Sequence, residues 1–266
     1  MTTQAPRCTV LLTFDFDAES SKMAKGLTTP TPMSQGTYGA RVGLPRILAL
    51  LAKYDLPATF FVPGIVAEMH PEKVQGIKAA GHEIGHHGYT HVNPIDLSYE
   101  EEWEQIAKGI AALEKVAGVR PKGYRSPAWA LSNNSIEIFK AQGLEWEASL
   151  MGDDFRFYRV GTEDGSAGLV AVPIAWLLDD FIHFEIVENG TGIQTPSKIY
   201  ELWAGEFDGA YAEGGTICFT MHPQVMGRYP RVRMLEQLIQ YMRGHAGVQF
   251  TTCSQAVADW AAQNPL

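Results

Sequence analysis

Short apolar runs alternate with longer amphipathic stretches along most of this chain. The runs 9–14, 58–62 and 216–221 are rich in β-branched and aromatic residues, a composition typical of buried strands. The stretches 44–54 and 99–117 carry apolar residues three and four positions apart, a spacing that predicts amphipathic helices. Strands that alternate with helices favour parallel βα units.

Weaker versions of both patterns fill most of the remaining chain. Further helices are predicted over 71–80, 132–142, 197–211, 231–243 and 254–262. Further strands are predicted over 82–85, 123–125, 169–174, 181–187 and 248–251. Because at least six such repeats follow one another with no linker-like break, we expect one domain over residues 1–266, folded as a closed or nearly closed barrel.

One long segment departs from this alternation. Residues 20–43 are rich in glycine, serine, threonine and proline and show no hydrophobic period, which predicts an irregular loop. Because loops of this length inside a compact domain are usually functional, we expect the segment to cover the site or to lie at a subunit boundary. A mobile surface loop is the alternative.

The composition narrows the possible partners. The chain has 266 residues, of which 45% are hydrophobic, enough for a sizeable core. Its formal net charge of −9 argues against nucleic acid or an anionic membrane surface as a partner. The three cysteines are widely spaced and form no CxxC pair, so a disulfide framework is not expected. We also find no signal-like or membrane-spanning run, and we therefore expect a cytoplasmic protein.

Four short polar clusters follow predicted strands, and the first of them holds two carboxylates. Asp15 and Asp17 are two positions apart, so both point to the same side of an extended segment. Two such carboxylates repel each other unless a cation or a proton lies between them. One is therefore a candidate metal ligand and the other a candidate general base, with a solvated acidic turn as the alternative.

The second cluster is rich in histidine. His87 and His91 are four positions apart, so a single helical turn would place both imidazoles on one face. Two histidines and one carboxylate form a three-ligand set that leaves a position for water on zinc or a similar divalent ion. The neighbouring His82 and His86 are candidates for supporting or structural roles.

The third cluster contains an arginine that is held extended by the following Ser-Pro pair. The guanidinium of Arg125 could orient a carboxylate base and stabilise its charge; a surface arginine is the alternative. Other acidic residues further along the chain could also pair with it: Asp153, Asp154, Asp179 and Asp180.

The fourth cluster supplies a late histidine. His222 directly follows the strand predicted over 216–221, and histidine has a pKa suited to protonating a leaving amine near neutral pH. A structural histidine is the alternative. Trp129, Asp154 and Trp176 are candidates for the wall of a substrate pocket, although the two tryptophans could equally belong to the core.

Together these clusters resemble the motifs of the polysaccharide deacetylase superfamily (carbohydrate esterase family 4). The resemblance implies that Asp15 is the base, that Arg125 holds it, and that His222 is the general acid. It further implies that the backbone N–H of Ala128 forms the oxyanion hole. The implied ligands of one divalent metal ion, most typically zinc, are Asp17, His87 and His91. The implied fold is a distorted (β/α)7 TIM-like barrel in a single domain.

Departures from the usual motifs point to one branch of that superfamily. The first motif is Asp-x-Asp, and Ala128 stands where a tyrosine is usual. Asp153 and Asp154 stand near the expected place of an arginine-tethering motif, but the tryptophan of that motif is missing. These variants resemble a cytosolic branch that includes cyclic imide hydrolases and relatives of metal-independent allantoinases. Its members tend to be homotetramers with a closed pocket.

The expected activity is therefore metal-dependent hydrolysis of an amide or imide C–N bond in a small cytosolic molecule, with a cyclic imide or amide favoured. N-deacetylation of peptidoglycan or a chito-oligosaccharide is the alternative within the same chemistry. A catalytically silent barrel that binds carbohydrate or metal is the alternative from another class. The complete set of acid, base and ligands argues against the silent barrel.

Overall fold

A curled sheet of nine strands forms the centre of the structure, a computed structural model that describes residues 6–163, 166–185 and 193–265. The strands are β1 (Cys8–Asp15), β2 (Thr59–Val62), β3 (Glu83–His86), β4 (Gly123–Tyr124), β5 (Trp146–Glu147), β6 (Tyr158–Val160), β7 (Leu169–Ala171), β8 (Thr216–Met221) and β9 (Val248–Thr251). They pair in the order β6-β7-β5-β4-β3-β2-β1-β8, and every pairing is parallel except that of β6 with β7.

The central strand β1 organises this sheet. It pairs with β8 along one side, while its first half pairs with β9 and its end with β2 on the other side. A bridge between Asp179 and Thr220 joins the stretch after β7 to the outer edge of β8. The sheet therefore curls into a half-barrel, which agrees with the distorted barrel that the resemblance implied.

Helices cover the outside of the sheet. They are α1 (Ser20–Ala24), α2 (Pro30–Tyr38), α3 (Leu44–Tyr54), α4 (Gly64–Met69), α5 (Pro71–Ala79), α6 (Tyr99–Ala117), α7 (Ser135–Ala141), α8 (Asp180–Phe184), α9 (Pro196–Glu213), α10 (Pro223–Met226), α11 (Tyr229–Arg243) and α12 (Cys253–Gln263). In the described ranges, none of them is long and apolar enough to cross a bilayer.

The two helices with the clearest sequence pattern have the predicted bounds. In α3, Ile47 and Leu51 are fully buried, as the apolar spacing requires. Helix α6 begins with a capping box, in which the Ser98 side chain accepts from the Glu101 N–H and the Glu101 carboxylate accepts from the Ser98 N–H. It ends at Gly118 in the left-handed conformation. Local signals and burial agree in both helices.

The predicted loop over 20–43 is wrong. The segment contains α1, α2 and a π-helical turn, Gly39–Gly43, that runs directly into α3. Its helical propensity is low, and tertiary contacts decide its conformation. A Cβ added at Gly36 would lie 2.4 Å from the carbonyl oxygen of Ala18, and the Thr37 hydroxyl donates to buried Glu19 at 2.8 Å. These contacts pin α2 against the chain that leaves β1.

The predicted strand over 181–187 is also wrong as far as the structure describes it, and residues 186 and 187 lie outside the described ranges. Residues 180–184 form α8, because the Asp179 carboxylate accepts a hydrogen bond of 2.7 Å from the Phe181 N–H and caps the helix. The sequence pattern also missed β5, β6, α4 and α10. Segments of two to six residues are too short to show a hydrophobic period.

Candidate active site

The carboxyl ends of four strands of the sheet bring the predicted polar side chains together. Strand β1 ends at Asp15, β3 ends one residue before His87, β4 ends one residue before Arg125, and β8 ends one residue before His222. Because parallel strands share one carboxyl edge, residues far apart in sequence meet there. Asp15, His87 and His222 line one cavity of about 590 Å³ together with Asp17 and His91. Arg125 does not reach its surface and is completely buried, bonded to Asp15.

The two carboxylates of the first cluster are buried but differ in their partners. Asp15 is 2% exposed and accepts a hydrogen bond of 2.8 Å from Arg125 Nη1. Asp17 is 3% exposed; its Oδ2 accepts from Gln224 Nε2 at 3.3 Å, and no described residue donates to its Oδ1. An ionised oxygen that is buried without a donor requires a cation or a protonated histidine beside it.

Two imidazoles face that unpartnered oxygen. Asp17 Oδ1 lies 3.5 Å from His87 Nε2 and 3.4 Å from His91 Nε2. Nitrogen and oxygen ligands about 2.0–2.1 Å from a tetrahedral zinc ion are about 3.3 Å from one another, which matches both separations. Burial acts to raise the pKa of Asp17, but His91 and His87 outweigh it and hold that pKa well below its usual value. The three residues therefore fit one divalent ion.

A hydrogen bond fixes which nitrogen His87 offers. His87 Nδ1 lies 2.7 Å from the carbonyl oxygen of Arg125, and since a carbonyl only accepts, Nδ1 carries the proton. In the neutral ring, Nε2 then presents a lone pair towards Asp17. Metal-bound histidines usually make such a bond through their second nitrogen.

The two histidines meet through a loop, so the predicted helical turn between them is wrong. Strand β3 ends at His86, and the chain then reverses with positive φ angles at Gly88 (+73°) and His91 (+63°). The rings of His87 and His91 lie 5.0 Å apart in an edge-to-face arrangement. The side chain of His86 points away from the site, because its Nε2 donates a hydrogen bond of 3.0 Å to the carbonyl oxygen of Ile106 in α6.

Arg125 is completely buried beneath the carboxylates. Besides Asp15, its Nη1 donates to the Thr13 hydroxyl at 2.8 Å, and its Nε donates to the Ala148 carbonyl at 3.2 Å. The guanidinium carbon also lies 4.1 Å from the centre of the Phe61 ring. These contacts fix the Asp15 Oδ1 atom. Asp15 Oδ2 therefore faces the Nε2 atoms of His87 and His222, which each lie 3.8 Å from it.

The acidic partners that the sequence offered for Arg125 lie elsewhere. Asp154 is exposed and does not line the cavity, so its assignment to the substrate pocket is wrong. The carbonyl of the next residue, Phe155, accepts from the N–H of Thr216, the first residue of β8. Asp154 is thus near the amino end of the strand whose other end leads to His222, and the barrel separates it from the site.

His222 has a buried acidic partner. Its Nδ1 lies 2.7 Å from Asp180 Oδ1, and its backbone N–H donates to Asp180 Oδ2 at 3.0 Å. Burial lowers the pKa of His222, but Asp180, Asp179 and Asp17 outweigh burial and raise it well above its usual value. Its Nε2 points back to Asp15 Oδ2. The geometry suits a histidine that holds a proton over the cavity.

Sequence reasoning missed the roles of two buried acids. Asp180 was considered only as a partner of Arg125, yet it anchors His222. Glu147 ends β5, and its Oε2 accepts from the N–H groups of Ser149 and Leu150. Burial raises the pKa of Glu147 to about 7, against the effect of the nearby Arg125 charge. A two-residue strand gives no signal from which this burial could have been predicted.

A strained turn forms one wall of the cavity. Ala128 and Trp129 both have positive φ, at 54° and 53°, which is costly for residues other than glycine and is common at functional sites. Ala128 itself lines the cavity. The ring of Trp129 lies 4.4 Å from that of Trp176, which is 42% exposed at the same cavity.

Another part of the cavity wall comes from the start of the segment 20–43, which was predicted as a covering loop. Helix α1 contributes Ser21, Lys22 and Ala24 to the wall, and Lys25 follows directly after the helix. Lys25 Nζ lies 5.8 Å from the centre of the Phe181 ring, and that ring lies 5.6 Å from His222. The start of the segment therefore borders the cavity, although as a helix, while α2 packs away from it.

Comparison with known proteins identifies the family. Residues 3–146 match the sequence family described as polysaccharide deacetylase. A peptidoglycan deacetylase of Helicobacter pylori is 32% identical, over 94% of this chain and 95% of its own length. The chain belongs to the polysaccharide deacetylase family. The matched range contains the two carboxylates, the two facing histidines and Arg125, whereas His222 lies beyond it.

Solved structures agree with this assignment. A Mycobacterium smegmatis structure that bears a polysaccharide deacetylase name is 36% identical, with a TM-score of 0.92 over 99% of this chain and 93% of its own. The structure of the Puue allantoinase is 24% identical and has a TM-score of 0.88, over 98% of this chain and 92% of its own. At this level of identity the likeness shows the fold alone. The coarse prediction of a polysaccharide deacetylase-type hydrolase is confirmed.

Proposed function

We propose that this polysaccharide deacetylase family member is a metal-dependent N-deacetylase, which hydrolyses the acetamido group of an amino sugar in peptidoglycan or a chito-oligosaccharide. The observation that carries the proposal is the unpartnered Asp17 Oδ1 facing His87 and His91, beside a carboxylate base held by Arg125. The full-length similarity to a peptidoglycan deacetylase supports this substrate class over the cyclic imide expected from the sequence.

Asp17, His87 and His91 would hold the metal. A divalent ion such as zinc supplies Lewis-acid polarisation of the substrate carbonyl and lowers the pKa of water. Asp15 Oδ2, which faces the cavity, accepts the proton of the attacking water. Arg125 holds Oδ1 of the same carboxylate in place through its hydrogen bond of 2.8 Å.

Two further groups complete the hydrolysis. The N–H of Ala128, a residue of the cavity wall, donates to the oxygen that becomes negative when water adds to the carbonyl. His222 Nε2 then donates its proton to the departing amine nitrogen, while Asp180 stabilises the imidazolium through Nδ1. Trp129 and Trp176 offer an apolar wall against which the face of a ring can pack.

The proposal is tested by assaying zinc-loaded protein with N-acetylglucosamine oligomers and with peptidoglycan, and by measuring released acetate. Acetate release that a chelator abolishes is the expected result. Succinimide and hydantoin are assayed in parallel with the same protein. Turnover of these rings with inert acetamido sugars would contradict the deacetylase proposal. Metal-dependent turnover of any of these substrates excludes the catalytically silent barrel.

Hydrolysis of a small cyclic imide or amide is a second candidate, which the size of the cavity accommodates. A volume of about 590 Å³, bordered by α1 on one side and by the two tryptophans on another, suits a compact ring as well as a single sugar unit. The homotetramer that the resemblance implied would restrict access by a polymer further. Light scattering of the purified protein measures that oligomeric state.

Replacing His222 by alanine should damage amide hydrolysis most. An amide nitrogen leaves only when it is protonated, whereas the phenolate of an activated aryl acetate leaves without a proton. We expect kcat on the amide to fall by about 10²–10⁴-fold, with a much smaller loss on the aryl ester. Steady-state kinetics on both substrates measure the difference. Equal losses would remove His222 from the acid role.

Replacing Asp180 by asparagine should change the pH dependence of turnover. Asp180 is the largest contributor that raises the pKa of His222, so its loss lowers that pKa and His222 loses its proton at a lower pH. The alkaline limb of the kcat profile should therefore move to lower pH. Asp208→Asn, at a surface carboxylate bonded to Tyr241, is the control and should leave the profile unchanged. An unmoved limb in the Asp180 variant would contradict the coupling.

A further inference from the structure

Gln224 touches the site but has no role in the mechanism above. It lies in the first turn of α10, two residues after His222, and is 6% exposed. Its Nε2 donates to Asp17 Oδ2 at 3.3 Å. Its Oε1 is buried, and no described residue donates to it. A buried amide oxygen without a donor costs free energy, so something other than its own hydrogen bonding keeps this side chain in place.

The hydrogen bond from Gln224 gives the two oxygens of the Asp17 carboxylate different partners. Oδ2 is held by the amide, and Oδ1 is left facing His87 Nε2 and His91 Nε2. Without that donor, rotation about the Cβ–Cγ bond would let either oxygen face the histidines or let both turn away. Carboxylates that bind metals are generally oriented by such outer hydrogen bonds, whose loss weakens binding.

Close backbone packing fixes Gln224 itself. The π-helical turn Gly39–Gly43 passes directly over α10, and a Cβ added at Gly39 would lie 3.0 Å from Gln224 Cβ and 3.2 Å from its Oε1. A Cβ added at Gly43 would lie 1.9 Å from the Pro223 carbonyl oxygen. Only glycine permits this approach. The segment once expected to be a loop thus confines the side chain that holds Asp17.

We propose that Gln224 is a positioning residue that presents Asp17 Oδ1 to the metal, and that the Gly39–Gly43 turn sets the position of Gln224. The inference rests on the metal site of the proposed function, but it assigns a task to residues outside the ligand set. It links the identity of Gly39 to metal affinity, although Gly39 is remote from the three ligands in sequence.

The test is the affinity of purified protein for Zn²⁺, measured by competition with a chromophoric chelator. Gln224→Met keeps the length of the side chain but removes its N–H donor. We expect the apparent Kd to rise by about 10–100-fold, while the Tm of the metal-free protein stays close to that of the wild type. Gln240→Met, the same change at an exposed glutamine, should leave the Kd unchanged.

A second variant tests the same link without altering Gln224, and remains informative if Gln224→Met fails to fold. Gly39→Ala should push on Gln224 and raise the Kd for Zn²⁺ in the same direction. Gly76→Ala is the matched control, because a Cβ there meets nothing within 4 Å. The visible absorption of the Co²⁺-loaded protein should change in Gly39→Ala and not in Gly76→Ala.

The possible outcomes separate this inference from the proposed function. Wild-type affinity and an unchanged Co²⁺ spectrum in both Gln224→Met and Gly39→Ala would overturn the positioning role. A lower Tm of the metal-free variants with unchanged Kd would assign Gln224 to packing alone and overturn it equally. Absence of Zn²⁺ binding by the wild type would instead contradict the metal site, and with it the proposed function.

Discussion

Replacing His87 or His91 by alanine is expected to remove the metal and the activity together. Each imidazole is one of three donors, and the remaining pair cannot hold the ion at the affinity of the full set. Lewis-acid stabilisation is worth several kcal/mol of the barrier, so turnover should fall by about 10³-fold or more. Elemental analysis and kinetics on the same samples measure both losses.

A histidine from the same stretch supplies the control for this experiment. His82 is buried against the Phe60 ring, with ring centres 5.4 Å apart, and does not line the cavity. His82→Ala should retain the metal and show turnover in proportion to its folded fraction. Full activity of wild-type protein after exhaustive removal of metal would contradict the assignment of His87 and His91 as ligands.

Asp15→Asn and Asp17→Asn should separate the two carboxylates of the first cluster. Asparagine at position 15 can still accept the bond from Arg125 through its amide oxygen, but it cannot take a proton from water. We expect the metal to be retained and turnover to fall by about 10²–10⁴-fold. At position 17 a neutral amide replaces a charged ligand, so the affinity for the metal itself should fall.

Because Arg125 is buried beside Asp15, the stability of the Asp15→Asn variant must be measured as well. Removing the charge of a buried partner leaves the guanidinium uncompensated, which typically destabilises a protein by about 3–5 kcal/mol. Its other bonds, to Thr13 and Ala148, and its stacking on Phe61 should retain the fold. Thermal unfolding therefore accompanies the metal analysis. Equal loss of metal from both asparagine variants would show that the roles of Asp15 and Asp17 are wrongly divided.

The alternation of apolar runs and amphipathic stretches was sufficient to predict the class of fold. Strands such as β1 and β8 are buried on both faces, and α3 and α6 have one apolar face each, so hydrophobic burial alone selects these elements. The sequence also determined that most of the predicted site residues meet. Side chains placed just after parallel strands are carried to one edge of the sheet, whatever connects the strands.

Only the tertiary structure decided how those residues are oriented. The left-handed backbone at Gly88 and His91, not a helical turn, brings His87 and His91 to Asp17. Asp180 became the partner of His222, although 42 residues separate them.

Tertiary packing also decided the conformation of the segment 20–43, which is largely helical because it packs against the chain that follows β1 and against α10. The curling of the sheet brings together Gly43 and Pro223, which are 180 residues apart, and likewise Asp17 and Gln224, which are 207 residues apart. Local propensity and hydrophobic period report on neighbours within one or two turns. The sequence by itself therefore determined the main elements and most of the residues of the site. Long-range packing decided the remaining elements, the orientation of the site residues and the groups that support them.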